Sequence, residues 1–332
     1  MSTPARAMRE LPAQALSDAV LTGTEPVVLR GLAAHWPAVR AVREGQGDAY
    51  LRRFYRDATV NAMLGAPEIE GRFFYNDDLS GFNFAPVRVR LDAVLDELRG
   101  HAADVKPPAI YVGSTTIDTC LPGFRAENDV DLGGRDALAS IWIGNRTRIA
   151  AHYDLPDNLA CVVAGRRRFT LFPPDQLPNL YIGPLDFTPA GQAISLVDFA
   201  QPDLTRFPRF ETAMRHALVA DLEPGDALFI PSMWWHHVEA LDSFNILVNY
   251  WWRQSPHFMD TPMNALMLAL MCVRDLPPAQ RAAWEGLFRH FVFDADEATS
   301  AHIPPAARRV LAPLDADGAR ALRAQLLKRM NR

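Results

Sequence analysis

The sequence has few cysteines and no long apolar segment, and both shortages restrict the kind of protein that it can be. Three cysteines among 332 residues cannot form a disulfide framework, and an odd number suits a reducing compartment. The longest apolar run, residues 265–273, is much shorter than the roughly 18 residues that suggest a membrane-spanning helix. Residues 1–10 lack the apolar stretch of a signal peptide. We therefore expect a cytoplasmic protein that does not associate with membranes.

An excess of positive charge is also missing. The formal net charge is −5, whereas nucleic-acid-binding domains usually carry a basic surface, so we expect no nucleic acid among the partners. Hydrophobic residues make up 49% of the chain and charged residues 22%, which excludes wholesale disorder and supports a sizeable core. A chain of 332 residues exceeds the usual size of one domain, so a main domain with a smaller appendage is expected.

From about residue 109 the sequence becomes a series of short β-rich runs separated by turn residues. Such a series predicts an antiparallel sandwich or barrel and argues against alternating strands and helices. The predicted strands are residues 109–115, 139–143, 146–152, 159–164, 168–172, 217–221, 227–230 and 245–252. The proline-rich loop 173–209 is long for a compact domain, and such loops are usually functional or ordered by their own packing.

Helical patterns lie on both sides of this series. Apolar residues at helical spacing predict helices at residues 11–21, 48–56 and 91–98, while residues 26–30 predict a short buried strand. After residue 255 the pattern is helical again, and residues 263–273 are apolar on almost every side. We therefore divide the chain into a main domain, 1–255, and a C-terminal helical segment, 256–332. A helix that is apolar all round must be covered, either by the main domain or by a second copy.

Two separated motifs carry the side chains that can do chemistry. In His152-Tyr153-Asp154, residues two apart at a strand end share a face, so an imidazole and a carboxylate converge. A second segment, residues 223–239, adds the adjacent pair His236 and His237. Two histidines and a carboxylate on a β-scaffold form the facial triad of non-haem Fe(II) oxygenases. Spacing alone does not choose between the paired histidines, because neighbours on a strand face opposite ways.

These motifs belong to a longer ordered series: AHYD (151–154), Asn158, GRRRFTLFPPDQ (165–176), residues 203–210, PGDALFIPSMWWHHVEAL (224–241) and NYWW (249–252). The series, which spans about residues 109–255, resembles the cupin-like JmjC family of Fe(II)- and 2-oxoglutarate-dependent oxygenases. It looks closest to the branch that contains the hypoxia-factor asparaginyl hydroxylase. The resemblance implies a mainly β fold with flanking helices, a double-stranded β-helix (jelly roll) followed by a C-terminal helical segment. It also implies a homodimer formed through those helices.

The same resemblance implies a ligand set and a reaction. His152, Asp154 and His236 would bind Fe(II), with no catalytic residue beyond these ligands, and 2-oxoglutarate would be the co-substrate. The expected reaction hydroxylates a peptide side chain or a small metabolite and releases succinate and carbon dioxide.

Further residues are implied to bind or line the co-substrate pocket. Arg167 falls where the relatives carry a lysine that pairs with the far carboxylate of 2-oxoglutarate. Strand alternation turns Arg166 and Arg168 to the opposite side, so one inward arginine between two solvated ones is physically sensible. The other matching positions are Tyr111, Asn158, Asn249 and Trp251, although each of these could instead have an ordinary structural role.

The sequence also departs from the family pattern. Ile149 stands where the relatives have a threonine, which removes one hydrogen bond to the co-substrate. The loops around residues 113–135 do not match, so the substrate stays open. A metal- and small-molecule-binding or sensor protein that performs no turnover is therefore the alternative, and a zinc or manganese cupin is a third possibility. Within the aromatic segment 71–84, which predicts strand and loop, residues 75–84 are interpreted as a structural turn near the pocket mouth.

Overall fold

A computed structural model of the chain describes residues 6–331, so the first half of the N-terminal stretch 1–10 lies outside the described residues. Strands dominate the first three quarters of this range. In chain order they are β1 (Arg6–Ala7), β2 (Arg9–Pro12), β3 (Val27–Arg30), β4 (Thr59–Gly65), β5 (Arg72–Phe73), β6 (Phe84–Arg90), β7 (Ala109–Thr116), β8 (Leu138–Gly144), β9 (Arg148–His152), β10 (Asp157–Ala164), β11 (Arg167–Phe172), β12 (Leu218–Leu222), β13 (Ala227–Ile230), β14 (Trp235–Ala240) and β15 (Asn245–Trp252).

Helices occupy the N-terminal third, two later connections between strands and the C-terminal end. They are α1 (Asp18–Leu21), α2 (Pro37–Arg43), α3 (Gly47–Phe54), α4 (Leu91–Gly100), α5 (Ile117–Cys120), α6 (Phe124–Glu127), α7 (Phe210–His216), α8 (Pro262–Cys272), α9 (Pro278–Phe288) and α10 (Ala316–Met330). In the part of the chain that the structure describes, none of them is long and apolar enough to span a bilayer.

The strands form two sheets. Six strands are ordered β1-β12-β11-β14-β9-β5, and nine are ordered β2-β3-β13-β10-β15-β8-β7-β4-β6. Buried residues from both sheets, including Val162 and Leu228 of one and Phe169 and Leu222 of the other, share a single apolar cluster, so the two sheets enclose a core. The predicted fold class, a mainly β jelly roll of the cupin type with a C-terminal helical segment, is confirmed.

A second and larger core lies on the other face of the nine-stranded sheet. There α2, α3 and α4 contribute Val39, Leu51 and Leu95, which pack with strand residues such as Ile141 and Val163. Every residue of β10 is buried, because this strand lies between the two cores. Apolar packing on both faces of the central strands fixes their register, since a slip of one residue would exchange the faces.

The long loop 173–209 was expected to be either functional or ordered by its own packing. In the structure it is ordered by packing. Its buried residues Leu180, Val197 and Phe207 join Phe172 and Trp235 in a cluster at the end of the six-stranded sheet. The backbone N–H of Ser195 donates to the carbonyl oxygen of Ala151 (2.8 Å), so the loop extends the hydrogen bonding beside β9. This contact holds the loop next to the strand that ends at His152.

The N-terminal expectations were wrong in part. Residues 11–21 do not form one helix: β2 runs through Pro12, a 3₁₀ turn follows over Ala13–Ala15, and α1 begins only at Asp18. Parallel pairing of β2 with β3 satisfies the backbone of this stretch and overrides its helical spacing. Strands β4 and β6 were not anticipated, although segment 71–84 does contain a strand (β5) followed by a turn.

The chain separates into two compact units, one ending at Gln254 and one beginning at Ser255. The second unit contains α8, α9 and α10. Throughout α8 no residue is fully buried in the described chain, although most of its side chains are apolar. Nothing in its own unit covers this apolar helix completely.

Candidate metal centre

His152, Asp154 and His236 come together at one end of the six-stranded sheet. His152 is the last residue of β9, Asp154 follows two residues later, and His236 lies opposite His152 on the paired strand β14. One donor atom from each lies within 4.8 Å of the others, and His236 Nε2 is 3.7 Å from Asp154 Oδ2. Within residues 6–331 this is the one group of three or more histidine, cysteine or carboxylate side chains placed so closely.

Two turns tie the ligand-bearing segments to each other. The backbone N–H of Met233 donates to the carbonyl oxygen of Asp154 (2.9 Å). Ser232 donates its hydroxyl to the carbonyl oxygen of Leu155 (2.6 Å) and its backbone N–H to Asp157 Oδ1 (2.9 Å). The stretch after β9 and the stretch before β14 therefore hold each other in place, which positions the carboxylate beside both imidazoles.

Both imidazoles are presented with the same nitrogen free. His152 Nδ1 donates to the carbonyl oxygen of Ala150 (2.9 Å), and His236 Nδ1 donates to that of Trp234 (3.0 Å). A carbonyl can only accept, so Nδ1 carries a proton, and in the neutral tautomer the lone pair that binds a metal is on Nε2. Burial, helped by the neighbouring His152, lowers the pKa of His236 to about 4 and keeps its ring in the neutral form that binds metals.

The structure resolves the choice that spacing left open. His237 faces away from Asp154, where its ring packs against Phe199 at a centroid distance of 4.4 Å. Burial lowers its pKa to about 3, so it is a neutral core residue. His236 is the member of the pair that the strand brings to the other two side chains, as the family resemblance implied.

The donor set fits a divalent transition metal. Two neutral imidazole nitrogens and one carboxylate oxygen make a 2-His-1-carboxylate set, which in non-haem Fe(II) sites leaves coordination positions open. A zinc or manganese cupin would bring further histidines, and within the described residues no additional histidine, cysteine or carboxylate joins this group.

A cavity of about 230 Å³ extends from the three side chains into the space between the sheets. The residues that line it come from eight strands, from the turn after β9 and from the long loop. It contains all five residues that the sequence assigned to a co-substrate pocket, namely Tyr111, Asn158, Arg167, Asn249 and Trp251. The structure therefore places these residues beside the candidate metal ligands.

Arg167 is the charged group of this cavity. Arg167 is 3% exposed, and its Nε has no hydrogen-bond partner among the residues described. Burial lowers the pKa of its guanidinium to about 10, which still leaves it charged near neutral pH. The flanking Arg166 and Arg168 point outward to Asp242 (3.0 Å) and Asp221 (2.7 Å). Because a buried cation without a counter-ion is costly, Arg167 indicates that an anion belongs in the cavity.

Amide and aromatic groups complete the polar end of the cavity. Asn249 Nδ2 donates to Asn158 Oδ1 (2.7 Å), while Asn249 Oδ1 has no partner within the described chain. Trp251 lies edge-on to Trp142 at 5.8 Å, and Tyr111 stacks on the same Trp142 at 5.7 Å. Burial raises the pKa of Tyr111, so its hydroxyl stays protonated and can donate.

Ile149 and Trp142 line one wall of the cavity, and this wall was the part of the site that the sequence predicted least well. Ile149 lines it, so an apolar side chain stands where the family has a hydroxyl. Trp142 was not singled out, although alternation in β8 gave a signal: Ile141 and Ile143 are buried on one face, which turns Trp142 to the other. The cavity-lining Ser114 carried no such signal.

The segment 71–84 is mainly a structural turn beside this region, as expected. The backbone N–H of Asn76 donates to the carbonyl oxygen of Gly81 (2.9 Å), and that of Gly81 donates to Asn76 Oδ1 (3.0 Å). Phe73, in the strand before the turn, lines a neighbouring cavity. The thiol of Cys161 is fully buried and its pKa is raised by that burial, so it is an inert core group.

Comparison with known proteins gives relatives of several kinds. A family model described as a cupin-like domain matches residues 12–258. The lysine-specific demethylase JMJ31 of Arabidopsis thaliana is 29% identical over 267 residues, which are 71% of this chain and 48% of that protein. HSPB1-associated protein 1 of Homo sapiens is 33% identical over 47% of this chain and 33% of its own length. The tRNA wybutosine-synthesizing protein 5 of Danio rerio is 39% identical over 32% of this chain and 29% of its own length.

The chain spans about half or less of the length of these curated relatives. The family model, by contrast, covers most of the chain and includes all three candidate metal ligands. The family resemblance inferred from the motifs is confirmed. The chain has this match, a jelly-roll fold, and two histidines and an aspartate gathered at one end of a sheet. It belongs to the cupin-like domain family.

Proposed function

We propose that this protein is an Fe(II)- and 2-oxoglutarate-dependent oxygenase that hydroxylates a peptide side chain or a small metabolite. One observation carries the proposal: the buried and unpaired Arg167 lies in the same cavity as His152, Asp154 and His236. A metal-ligand set alone fits several reactions. A metal-ligand set together with a buried cation that requires an anion fits a co-substrate with a carboxylate at each end.

The residues divide into two groups with different tasks. His152, Asp154 and His236 would hold the metal through two neutral imidazole nitrogens and one carboxylate oxygen. When bound, Fe(II) and 2-oxoglutarate supply the oxidation, in which one oxygen atom of O₂ enters succinate, the other enters the hydroxylated product, and carbon dioxide is released. The protein contributes orientation and the exclusion of bulk water.

Arg167 and Tyr111 would receive the distant carboxylate of 2-oxoglutarate. The guanidinium can make two parallel hydrogen bonds to a carboxylate, and the protonated phenol can donate one more. The cavity of about 230 Å³ is small compared with ligand pockets of roughly 300–1,000 Å³, which suits a small dicarboxylate. Asn249, fixed through its amide N–H to Asn158, keeps its oxygen free to accept from a ligand or a bound water.

Ile149 supports a second candidate function, a protein that binds a metal and a small molecule without turnover. Its apolar side chain removes one hydrogen bond to the co-substrate, worth roughly 0.5–3 kcal/mol. The two functions differ in one measurable outcome. An oxygenase converts 2-oxoglutarate into succinate in the presence of Fe(II) and O₂, whereas a sensor binds 2-oxoglutarate and leaves it intact.

The test is succinate formation by protein purified without oxygen, loaded with Fe(II) and then mixed with 2-oxoglutarate and air-saturated buffer. His152→Ala removes one imidazole ligand and should abolish succinate formation. The matched control is His257→Ala, since His257 is exposed and lies outside the cavity. Unchanged turnover in His152→Ala contradicts the ligand assignment, and binding of 2-oxoglutarate without succinate supports the sensor.

We also propose that the protein forms a homodimer through its C-terminal helices, in a cytoplasmic setting. The support is the apolar surface of the second unit, where Met271 is 69% and Phe293 77% exposed. Apolar patches of this kind usually mark an interaction site.

A further inference from the structure

A second cavity of about 270 Å³ adjoins the first on the side of His152. The two cavities share six lining residues, namely Tyr111, Ser114, Trp142, Ile149, His152 and Ala190. Arg167, Asp154 and the two asparagines line only the first cavity. We call the second cavity the outer chamber. A group held in it would stand next to the candidate metal ligands without occupying the co-substrate pocket.

The walls of the outer chamber are almost entirely hydrocarbon. Side chains that line it without lining the first cavity include those of Met63, Phe73, Ala150, Pro189 and Ile194. Among its described lining residues there is no aspartate, glutamate, lysine or arginine. The polar side-chain groups are the hydroxyls of Ser114 and Tyr111, the indole N–H of Trp142 and the ring of His152, which is a candidate metal ligand. A charge placed here would lose water and find no counter-ion.

One wall of the outer chamber belongs to the long loop, and that wall is fixed in place. Phe187 stacks on Phe82 at a centroid distance of 4.8 Å, and the hydroxyl of Tyr75 donates to the carbonyl oxygen of Phe187 (2.5 Å). These contacts hold residues 189–191, which face the chamber. The turn at residues 75–84 therefore acts as the support of a chamber wall. Because these contacts fix the wall before any ligand binds, the apolar surface of the chamber is present in the free protein.

We propose that the outer chamber receives an uncharged hydrocarbon group of the substrate, whose C–H bond is thereby presented to the metal site. The proposal rests on the proposed function for the fate of that bond, but not for the binding itself. It disfavours a free or methylated lysine ammonium in the chamber, because no carboxylate among the lining residues offsets the lost hydration, although two of the relatives are named lysine-specific demethylases. The group can be an apolar side chain of a polypeptide or the hydrocarbon part of a free metabolite.

The test compares two probes of the same shape and different charge. Choline carries a trimethylammonium group, and 3,3-dimethylbutan-1-ol carries a neutral tert-butyl group in its place. Binding of each to the full chain, loaded with redox-inert Zn(II) and 2-oxoglutarate, is measured by ligand-observed NMR. We expect the alcohol to bind at least about tenfold more tightly, because the ammonium must be desolvated without a counter-ion and the aromatic rings of the wall compensate for this only in part. Equal or tighter binding of choline, or no binding of the alcohol, overturns the proposal.

Two variants locate the probes in the outer chamber. Met63→Glu introduces a carboxylate into its wall and should reduce or reverse the preference for the alcohol, whereas Met63→Gln has nearly the same shape and no charge and should retain the preference. A preference that Met63→Glu leaves unchanged would place the probes elsewhere and would also overturn the proposal. The readout is binding, so it remains decisive even if no succinate is ever formed.

The source of the hydrocarbon group is read from competition against the bound alcohol. N-acetyl-leucine methylamide represents a polypeptide side chain, and free leucine represents a small metabolite. The first competing better indicates a polypeptide substrate, and the second competing better indicates a metabolite. If neither competes, or if the corresponding lysine compounds compete better, the hydrocarbon assignment is wrong.

Discussion

At the scale of single residues, the site depends on the alternation of side chains along strands. Arg167 points into the cavity because Arg166 and Arg168 on either side of it point outward to carboxylates. The same rule separates His236 from His237. Alternation could be read from the sequence, but which of the two faces is the inner one needed either the family resemblance or the structure.

Arg167→Met should separate co-substrate binding from stability. Loss of the charge should weaken 2-oxoglutarate binding by about ten- to a hundredfold, since hydrogen bonds to charged groups contribute roughly 1.5–3 kcal/mol. The free energy of unfolding should not fall, because an apolar side chain replaces a buried cation that has no counter-ion within the described residues. Calorimetry with 2-oxoglutarate and urea unfolding measure the two quantities.

The control for this prediction is Arg168→Met, one position further along the same strand. Arg168 pairs with Asp221 on the outer face of β11, so its loss should leave 2-oxoglutarate binding unchanged. If both variants lose binding equally, the inward placement of Arg167 is not the reason, and its proposed role is wrong.

At the scale of elements, the strand series could be predicted, whereas the N-terminal region could be predicted only in part: β3, α3 and α4 were expected, but β4 and β6 were not. The runs from residue 109 onward alternate regularly and are separated by turn residues, so several observed bounds differ from the predicted ones by only one or two positions. In β6, Val87 and Val89 alternate with Arg88 and Arg90, but Pro86 obscures the pattern. β6 lies at the edge of its sheet, which is the place where a proline is tolerated.

Strand β14 also carries a group on its outer face whose burial gives a pH-dependent stability. Burial raises the pKa of Glu239 above its usual 4.5, against the opposing effect of Arg168 and Arg148. Below pH 4.5 the carboxyl is protonated in the folded and the unfolded chain, so no stability is lost. As the pH rises from that value through the raised pKa, the unfolded chain ionises more readily and stability is lost.

Glu239→Gln should therefore increase the free energy of unfolding at neutral pH, and the increase should vanish below pH 4.5. Urea unfolding of both proteins at the two pH values measures the difference. The exposed Glu211→Gln on α7 serves as control and should change stability at neither pH. A gain in Glu239→Gln that is the same at both pH values would show that burial of the charge is not its cause.

At the scale of the whole molecule, the site exists because the fold joins segments that are far apart in sequence. Pairing of β9 with β14 brings His152 to His236, and pairing of β10 with β15 brings Asn158 to Asn249. The motifs predicted these meetings only through the family resemblance, since no local pattern encodes the order of strands in a sheet. The outer chamber was not predicted at all, because its walls are common apolar residues from many elements.

The apolar surface of the second unit leads to the last prediction, on the oligomeric state. Helix α8 contains no charged residue over its eleven positions, and beyond it Phe291 and Phe293 are also exposed. A two-fold dimer buries the same patch on both copies, so the apolar surface of one copy can be covered by that of the other. We therefore expect light scattering to give twice the mass of the chain, and the double variant Met271→Glu/Phe293→Glu to give a monomer.

Val105→Glu is the control, because Val105 is an exposed apolar residue of the first unit (91%) and the introduced charge should leave the dimer intact. A wild-type chain that is monomeric at micromolar concentration would mean that α8 is covered in some other way.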